Sequence, residues 1–82
     1  MNPGMFESPD DVPIGAVVFD KDWEMPAEVA GKDGYFIDLR RPTGRKWRAR
    51  YSRLRPASAW ECRQLIAVGR LHIQRQKGAL WT

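Results

Sequence analysis

The sequence predicts a small, mainly β domain: a bent antiparallel sheet of four or five strands that carries one C-terminal amphipathic helix. Three observations predict it. Tyr35, Ile37 and Leu39 alternate with Phe36, Asp38 and Arg40, and Trp47, Ala49 and Tyr51 alternate with Arg48, Arg50 and Ser52, the period-two pattern of half-buried strands. Turn signals at Asp33-Gly34 and at Pro42-Thr43-Gly44-Arg45-Lys46 separate these runs. After Pro56, Ser58-Ala59-Trp60-Glu61 has the spacing of a helix capping box, and helix formers follow it.

The elements follow in order. Residues 1–12 hold two prolines, a glycine and three acids and read as a flexible acidic lead-in. The β domain is expected over 13–57. Ile14 to Phe19 is a short β-prone run, and Asp20-Lys21-Asp22 is a turn. Trp23 to Ala30 is a second strand. Pro26 removes a ladder donor there, which places that strand at an edge or gives it a bulge. In the next hairpin Tyr35, Ile37 and Leu39 share one face, as do Trp47, Ala49 and Tyr51 across the turn. Pairing Leu39 with Ala49 and Ile37 with Tyr51 keeps both apolar sets together, whereas a one-residue slip exposes half of them. That register sets Asp38 opposite Arg50 and Arg40 opposite Arg48. The helix is expected over 58–77, its regular turns ending near Gln76, with Gly78 as its left-handed cap and 78–82 as a tail.

The helix has two apolar faces. Cys62, Leu65, Ile66, Gly69 and Ile73 form one; Trp60, Val68 and Leu71 lie roughly opposite, with Arg63, Arg70 and Lys77 between them. Gly69 costs about 1 kcal/mol in a helix interior, so close backbone approach to the strands is expected there. The second face is covered either by the tail Ala79-Leu80-Trp81 folding back or by another protein or a second copy. In the latter case Trp60, Val68, Leu71 and Trp81 form the partner interface.

Charge is divided sharply. Residues 1–38 carry nine acids and two lysines, formally −7; residues 39–82 carry twelve bases and one acid, Glu61, formally +11. Eight bases fall between positions 40 and 55 with no acid among them: Arg40, Arg41, Arg45, Lys46, Arg48, Arg50, Arg53 and Arg55. Such asymmetry points to an acidic partner, with nucleic acid foremost. A basic hairpin face and tip suit a phosphate backbone, and Trp47 and Tyr51 offer stacking planes if they are not core residues. The competing reading is internal neutralisation, the acidic half folding against the basic half.

Catalysis finds little support. His72 is the single histidine and reads as a structural, partly buried residue. The single cysteine, Cys62, excludes an internal disulfide or a cysteine metal cage and lies on the helix's core face. Asp10-Asp11, Asp20 and Asp22 lack the spacing and closing Glu of a calcium loop and read as solvated acidic surface. No Gly-rich phosphate loop is present. The expectation is a non-enzyme without cofactor or metal. The N-terminus has no basic start and no apolar h-region, and no stretch approaches the roughly 18 apolar residues of a membrane span. A cytoplasmic protein is therefore expected.

Val12-Pro13-Ile14-Gly15-Ala16-Val17-Val18-Phe19-Asp20, Tyr35-Phe36-Ile37-Asp38-Leu39-Arg40, Trp47 and Leu54-Arg55-Pro56-Ala57-Ser58 together resemble the short SH3-like β-barrel proteins of GC-rich Gram-positive bacteria and their phages or mobile elements. The similarity covers 12–58. The chain departs from the pattern by Arg41 before Pro42, by the dense basic run and by the long helix. The resemblance implies a small non-catalytic barrel. Such barrels bind nucleic acid, proline-rich peptides or other proteins, and the resemblance transfers no binding residue. The function expected is a nucleic-acid-associated accessory or regulatory protein. The alternative is a protein–protein adaptor or small inhibitor using the basic face and the second helix face.

Overall fold

The structure is a computed structural model that describes the backbone of residues 5–81 and the side chains of residues 5–73. Five strands, β1 (Val17–Asp20), β2 (Met25–Asp33), β3 (Phe36–Arg40), β4 (Lys46–Arg50) and β5 (Leu54–Pro56), are followed by α1 (Ala59–Trp81). They form one open antiparallel sheet in the order β4-β3-β2-β1-β5. Four strands meander; a 3-10 turn at Tyr51–Arg53 then returns the chain so that β5 pairs with β1. This is the mainly β domain with one helix that the sequence predicts.

The core lies on one side of the sheet and gathers Val12, Val18, Ala27, Val29, Ile37, Leu39 and Leu54, all essentially inaccessible to solvent, with Phe6, Trp47, Ala49 and Tyr51 packed against it. Phe6 and Val12 come from the segment expected to be loose. It is held by a 3-10 turn at Pro9–Asp11, where Asp11 Oδ2 accepts from the Glu7 and Ser8 backbone N–H groups. The Lys32 ammonium donates to the Pro9 carbonyl at 3.1 Å. Apolar Phe6 and Val12 flank the polar turn, and their burial outweighs the Pro/Asp signal for a loop. The folded unit therefore begins before residue 13.

The first strand starts three residues later than expected. Gly15 (φ +89°) forms a turn with the Ala16 N–H on the Pro13 carbonyl, and Ile14 is left exposed. β2 is an interior strand, not an edge strand. Pro26 is tolerated because β2 meets β3 only from Glu28 onward, so β1 alone flanks Pro26. The ladder irregularity falls between Val29 and Gly31 instead. The β2–β3 turn is two residues, Gly34-Tyr35, with Gly34 at φ +61°. Tyr35 thus leaves the strand and its inward face and is exposed.

The β3–β4 register differs by two residues from the expected one. Leu39 faces Trp47, Ile37 faces Ala49, Asp38 faces Arg48 and Arg40 faces Lys46. A two-residue slip preserves both faces, so the apolar pattern does not distinguish the registers. The turn decides. Gly44 (φ +94°) donates to the Arg41 carbonyl and Arg41 N–H to the Arg45 carbonyl, both at 2.9 Å, which closes a tight loop over 41–45. Tyr51 consequently enters the 3-10 turn instead of facing Ile37.

The capping box forms as predicted. Ser58 Oγ accepts from the Glu61 N–H at 3.1 Å, and Glu61 Oε1 accepts from the Ser58 N–H at 2.8 Å. The helix runs on through Gly78 to Trp81. It neither ends near Gln76 nor lets the tail fold back onto Trp60. Its packing face is also rotated from the expected one. Glu61 and Leu65 are buried, and Val68, Gly69 and His72 half-buried, whereas Ile66 and Ile73 of the expected core face are exposed. Two anchors set this rotation. Arg55 of β5 grips Glu61 through two bonds of 2.8 and 2.7 Å. Gly69 lies so close to the 41–45 loop that a Cβ would stand 3.2 Å from Pro42 Cβ. The close approach predicted at Gly69 is thus to a loop proline and not to a strand.

Candidate nucleic-acid interface

The eight bases between positions 40 and 55 divide into two groups. Four are held by carboxylates of the chain itself. Arg40 donates to Glu28 at 2.8 Å, Arg48 to Asp38 at 2.8 Å and Asp33 at 3.4 Å, Arg53 to both oxygens of Asp22, and Arg55 to Glu61. β3 lies between β2 and β4, so cross-strand neighbours on its outer face bring acids to bases. The contacts raise the affinity of Arg48, Arg53 and Arg55 for their protons, chiefly through the hydrogen bonds they donate to Asp38, Asp22 and Glu61 respectively. The Arg53 guanidinium lowers the Asp22 pKa. Arg55 is the most constrained of the four: its guanidinium also lies 4.2 Å from the centre of the Phe19 ring. It joins β5, β1 and the start of α1 and is a structural residue.

The other four, Arg41, Arg45, Lys46 and Arg50, have no carboxylate partner among the described residues. Arg41 is half-buried. Its Nη1 meets Met25 Sδ at 3.3 Å and its Nε is enclosed without a partner. Arg45 stands at the hairpin tip with its guanidinium 4.8 Å from the Trp23 ring and 5.4 Å from the Trp47 ring. Lys46 follows it and is exposed. Arg50, exposed at the other end of β4, lies 5.5 Å over the Tyr35 ring.

The aromatic members are only partly those expected. Trp47 and Tyr51 pack against the core. Trp47 further donates its Nε1–H to Asp20 Oδ2 at 2.8 Å. The exposed rings beside the unpaired arginines are Trp23 and Tyr35, at 56% and 60% exposure. The sequence places Tyr35 in a core strand and Trp23 at the start of the second strand, whereas β2 begins at Met25 and both rings lie in turns; the turn chemistry of Gly34 and of Asp20-Lys21-Asp22 is the signal that exposes them.

Asp20, expected on a solvated acidic surface, is fully buried. Its Oδ1 accepts from the Asp22 and Trp23 backbone N–H groups at 2.8 and 3.2 Å, an Asx turn. With Trp47 on Oδ2, one buried carboxylate fixes the Trp23 turn and the Trp47 indole, the two rings between which Arg45 sits. This residue organises the tip, and its signal in the sequence is an Asp opening a turn that ends in Trp.

Of the residues expected at a partner interface, Trp60 and Leu71 are exposed on one flank of α1. Val68 is half-buried, turned towards a groove it shares with Met25, Pro26 and Arg41. Its place on the packing side removes it from an outward surface. The Trp81 side chain lies outside the described residues. His72 is half-buried near Thr43, Val68 and Leu71, and Cys62 is a half-buried free thiol. No group of three or more His, Cys, Asp or Glu side chains among the described residues stands as a metal cage. Among them, too, no helix is long and apolar enough to cross a membrane. Comparison with known proteins gives no matching family model, no matching curated protein and no matching solved structure.

Proposed function

We propose that this chain is a non-catalytic binding module, a small SH3-like barrel that acts as a cytoplasmic accessory or regulatory protein on nucleic acid. It holds the phosphate backbone with the β3–β4 tip and the outer end of β4, not with the whole basic face. The observation that carries the reading is the placement of Arg45 between two tryptophan rings with Lys46 beside it and no carboxylate on either. A guanidinium stacked on a ring keeps its in-plane N–H donors free for a phosphate, and the stack holds it in position beforehand. Trp23 and Tyr35 supply exposed planes for unpaired bases next to Arg45 and Arg50. The strand order, the bulge in β2 and the 3-10 turn before β5 support the barrel reading.

The test is a titration with a short duplex and a short single strand at about 50 and 200 mM salt. Three phosphate contacts, from Arg45, Lys46 and Arg50, give a log–log salt slope near −2.7 on duplex and about a 40-fold loss across that range. Engagement of all eight bases would give a slope near −7 and a loss of about 10⁴. Arg45→Ala with Lys46→Ala should weaken binding and flatten the slope by about two. Arg48→Ala, which frees Asp33 and Asp38, should have a much smaller effect on the slope. Absence of binding at low salt to either nucleic acid defeats the proposal. A slope untouched by the Arg45/Lys46 pair moves the contact elsewhere.

A further inference from the structure

The outward side of α1 is a second surface, whose edge at Leu71 borders the hairpin loop at Thr43. Arg63, Ile66, Ala67 and Arg70 occupy positions i, i+3, i+4 and i+7 of the helix, and all four are exposed. Four residues so spaced outline the diamond-shaped hole into which a side chain from a facing helix inserts. Ala67, the smallest of them, leaves the centre open. Together with Leu71 these residues line a surface hollow of about 430 Å³. Apolar ridges flank it: Ile66 and Ile73 on one side, Leu71 and Trp60 on the other, each more than half exposed. Arg63, Ile66, Ala67 and Arg70 stay exposed in the described fold, while the buried residues of α1 are Glu61 and Leu65, and only the edge of this side at Ala67 and Leu71 borders Met25, Pro26 and Arg41.

Charge selects the occupant. Arg63 and Arg70 lie two turns apart, about 10 Å along the axis, and neither is in an ion pair among the described residues. Glu61 is the single acid of the helix, and Arg55 already holds it. A second α1 would bring arginines against arginines, so the face does not complement its own copy. The geometry points to an acidic amphipathic helix of a partner protein: an apolar knob enters the Arg63-Ile66-Ala67-Arg70 hole, and carboxylates seven residues apart on the partner meet Arg63 and Arg70. Apolar contact on the ridges supplies affinity, and the two charges fix register and exclude basic partners.

The probe is a three-heptad synthetic peptide with Leu at the a and d positions and Glu at e and g, matched with one carrying Lys at e and g. Calorimetry reads affinity on the full chain, and circular dichroism reads the helix the peptide gains on binding. The Glu peptide should bind and the Lys peptide should not. Arg63→Glu with Arg70→Glu should weaken the Glu peptide by about tenfold or more and admit the Lys peptide. Both arginines are exposed, so the fold should survive; should the reversal disturb it, Arg63→Gln with Arg70→Gln gives the same loss without the swap. Ala67→Phe, which fills the hole, should weaken the peptide, while Arg45→Ala should not. Three results overturn the inference: a Glu peptide that ignores the wild type, a wild-type dimer in sedimentation that Ile66→Asp disperses, or duplex binding lost on Arg63/Arg70 reversal and retained on Arg45/Lys46 replacement.

Discussion

Replacing Trp47 by Phe tests whether the buried carboxylate of Asp20 organises the hairpin tip. The phenyl ring keeps most of the apolar contact with the core but removes the Nε1–H that reaches Asp20 Oδ2 at 2.8 Å. Oδ1 retains its two backbone donors from the 22–23 turn, while Oδ2 is left without a donor inside a fully buried residue. A hydrogen bond to a charged group contributes about 1.5–3 kcal/mol, and stranding the acceptor in the interior puts the loss towards the upper end. For a domain of this size, 2 kcal/mol lowers the melting temperature by about 8–16 °C. The assay is thermal and urea unfolding followed by far-ultraviolet circular dichroism, run on Trp47→Phe, Asp20→Asn and the double variant. The two changes act on one bond, so the double variant should fall short of the sum of the singles by about 1.5–3 kcal/mol. A Trp47→Phe protein within about 0.5 kcal/mol of wild type, or singles that simply add, would refute the reasoning.

Three further outcomes follow from single contacts. The Arg55 guanidinium, with desolvation opposing it, lowers the Glu61 pKa from 4.5 to about 2. A carboxylate with a depressed folded pKa adds stability that is complete above about pH 4.5 and is lost as pH falls towards 2. The contribution is about 2 kcal/mol once solvent beside Arg55 is allowed for. Urea midpoints at pH 6 and pH 2.5 should therefore differ less in Glu61→Gln than in wild type, and an equal difference removes the ion pair from the ledger. Gly69→Ala should not deliver the roughly 1 kcal/mol that Ala normally gains over Gly in a helix, because its Cβ would press on Pro42 at 3.2 Å; a full gain in unfolding free energy would show that the 41–45 loop yields freely. Deleting residues 1–12 removes buried Val12 and the packed Phe6, so the unfolding free energy should fall by at least the roughly 1.5–3 kcal/mol of one buried aliphatic side chain; an unchanged urea midpoint would make the segment dispensable.

What was legible in the chain was what period and caps encode. The Ile37/Leu39 and Trp47/Ala49 alternation placed those side chains inward, and Ser58 with Glu61 placed the helix start. What was not legible has physical reasons that differ from element to element. A two-residue slip leaves the faces of β3 and β4 unchanged, so only the closure of the 41–45 loop by Gly44 selects the register. Pro26 signals an edge strand, yet β3 ends opposite Glu28 and leaves Pro26 beside one neighbour only. The helix face rotated because Arg55, sixteen residues after Leu39 in the chain, pairs with Glu61 through a contact that helical periodicity does not contain.

The charge layout shows the same limit and is the feature on which the functional reading turns. Along the sequence, acids and bases are separated almost completely at residue 38. In the sheet they are interleaved, because β2 brings Glu28 and Asp33 to β3 and β4, and the β1–β2 turn brings Asp22 to Arg53. Folding thus neutralises the centre of the basic run and leaves charge at its periphery, with Arg45 and Lys46 at the hairpin tip and Arg50 at the far end of β4; Arg63 and Arg70 on the helix, outside the run, are likewise in no ion pair among the described residues. An anion that approaches the central face meets carboxylates already in place, and capturing Arg40 or Arg48 would require breaking their pairs. One that approaches the tip meets cations seated on aromatic rings with donors to spare. The two peripheral sets differ in setting, since the tip pairs cations with flat rings and the helix pairs them with aliphatic ridges and a small-residue hole. That difference, and not the net charge of +4, is the ground on which nucleic acid is proposed for the tip and a partner helix for α1.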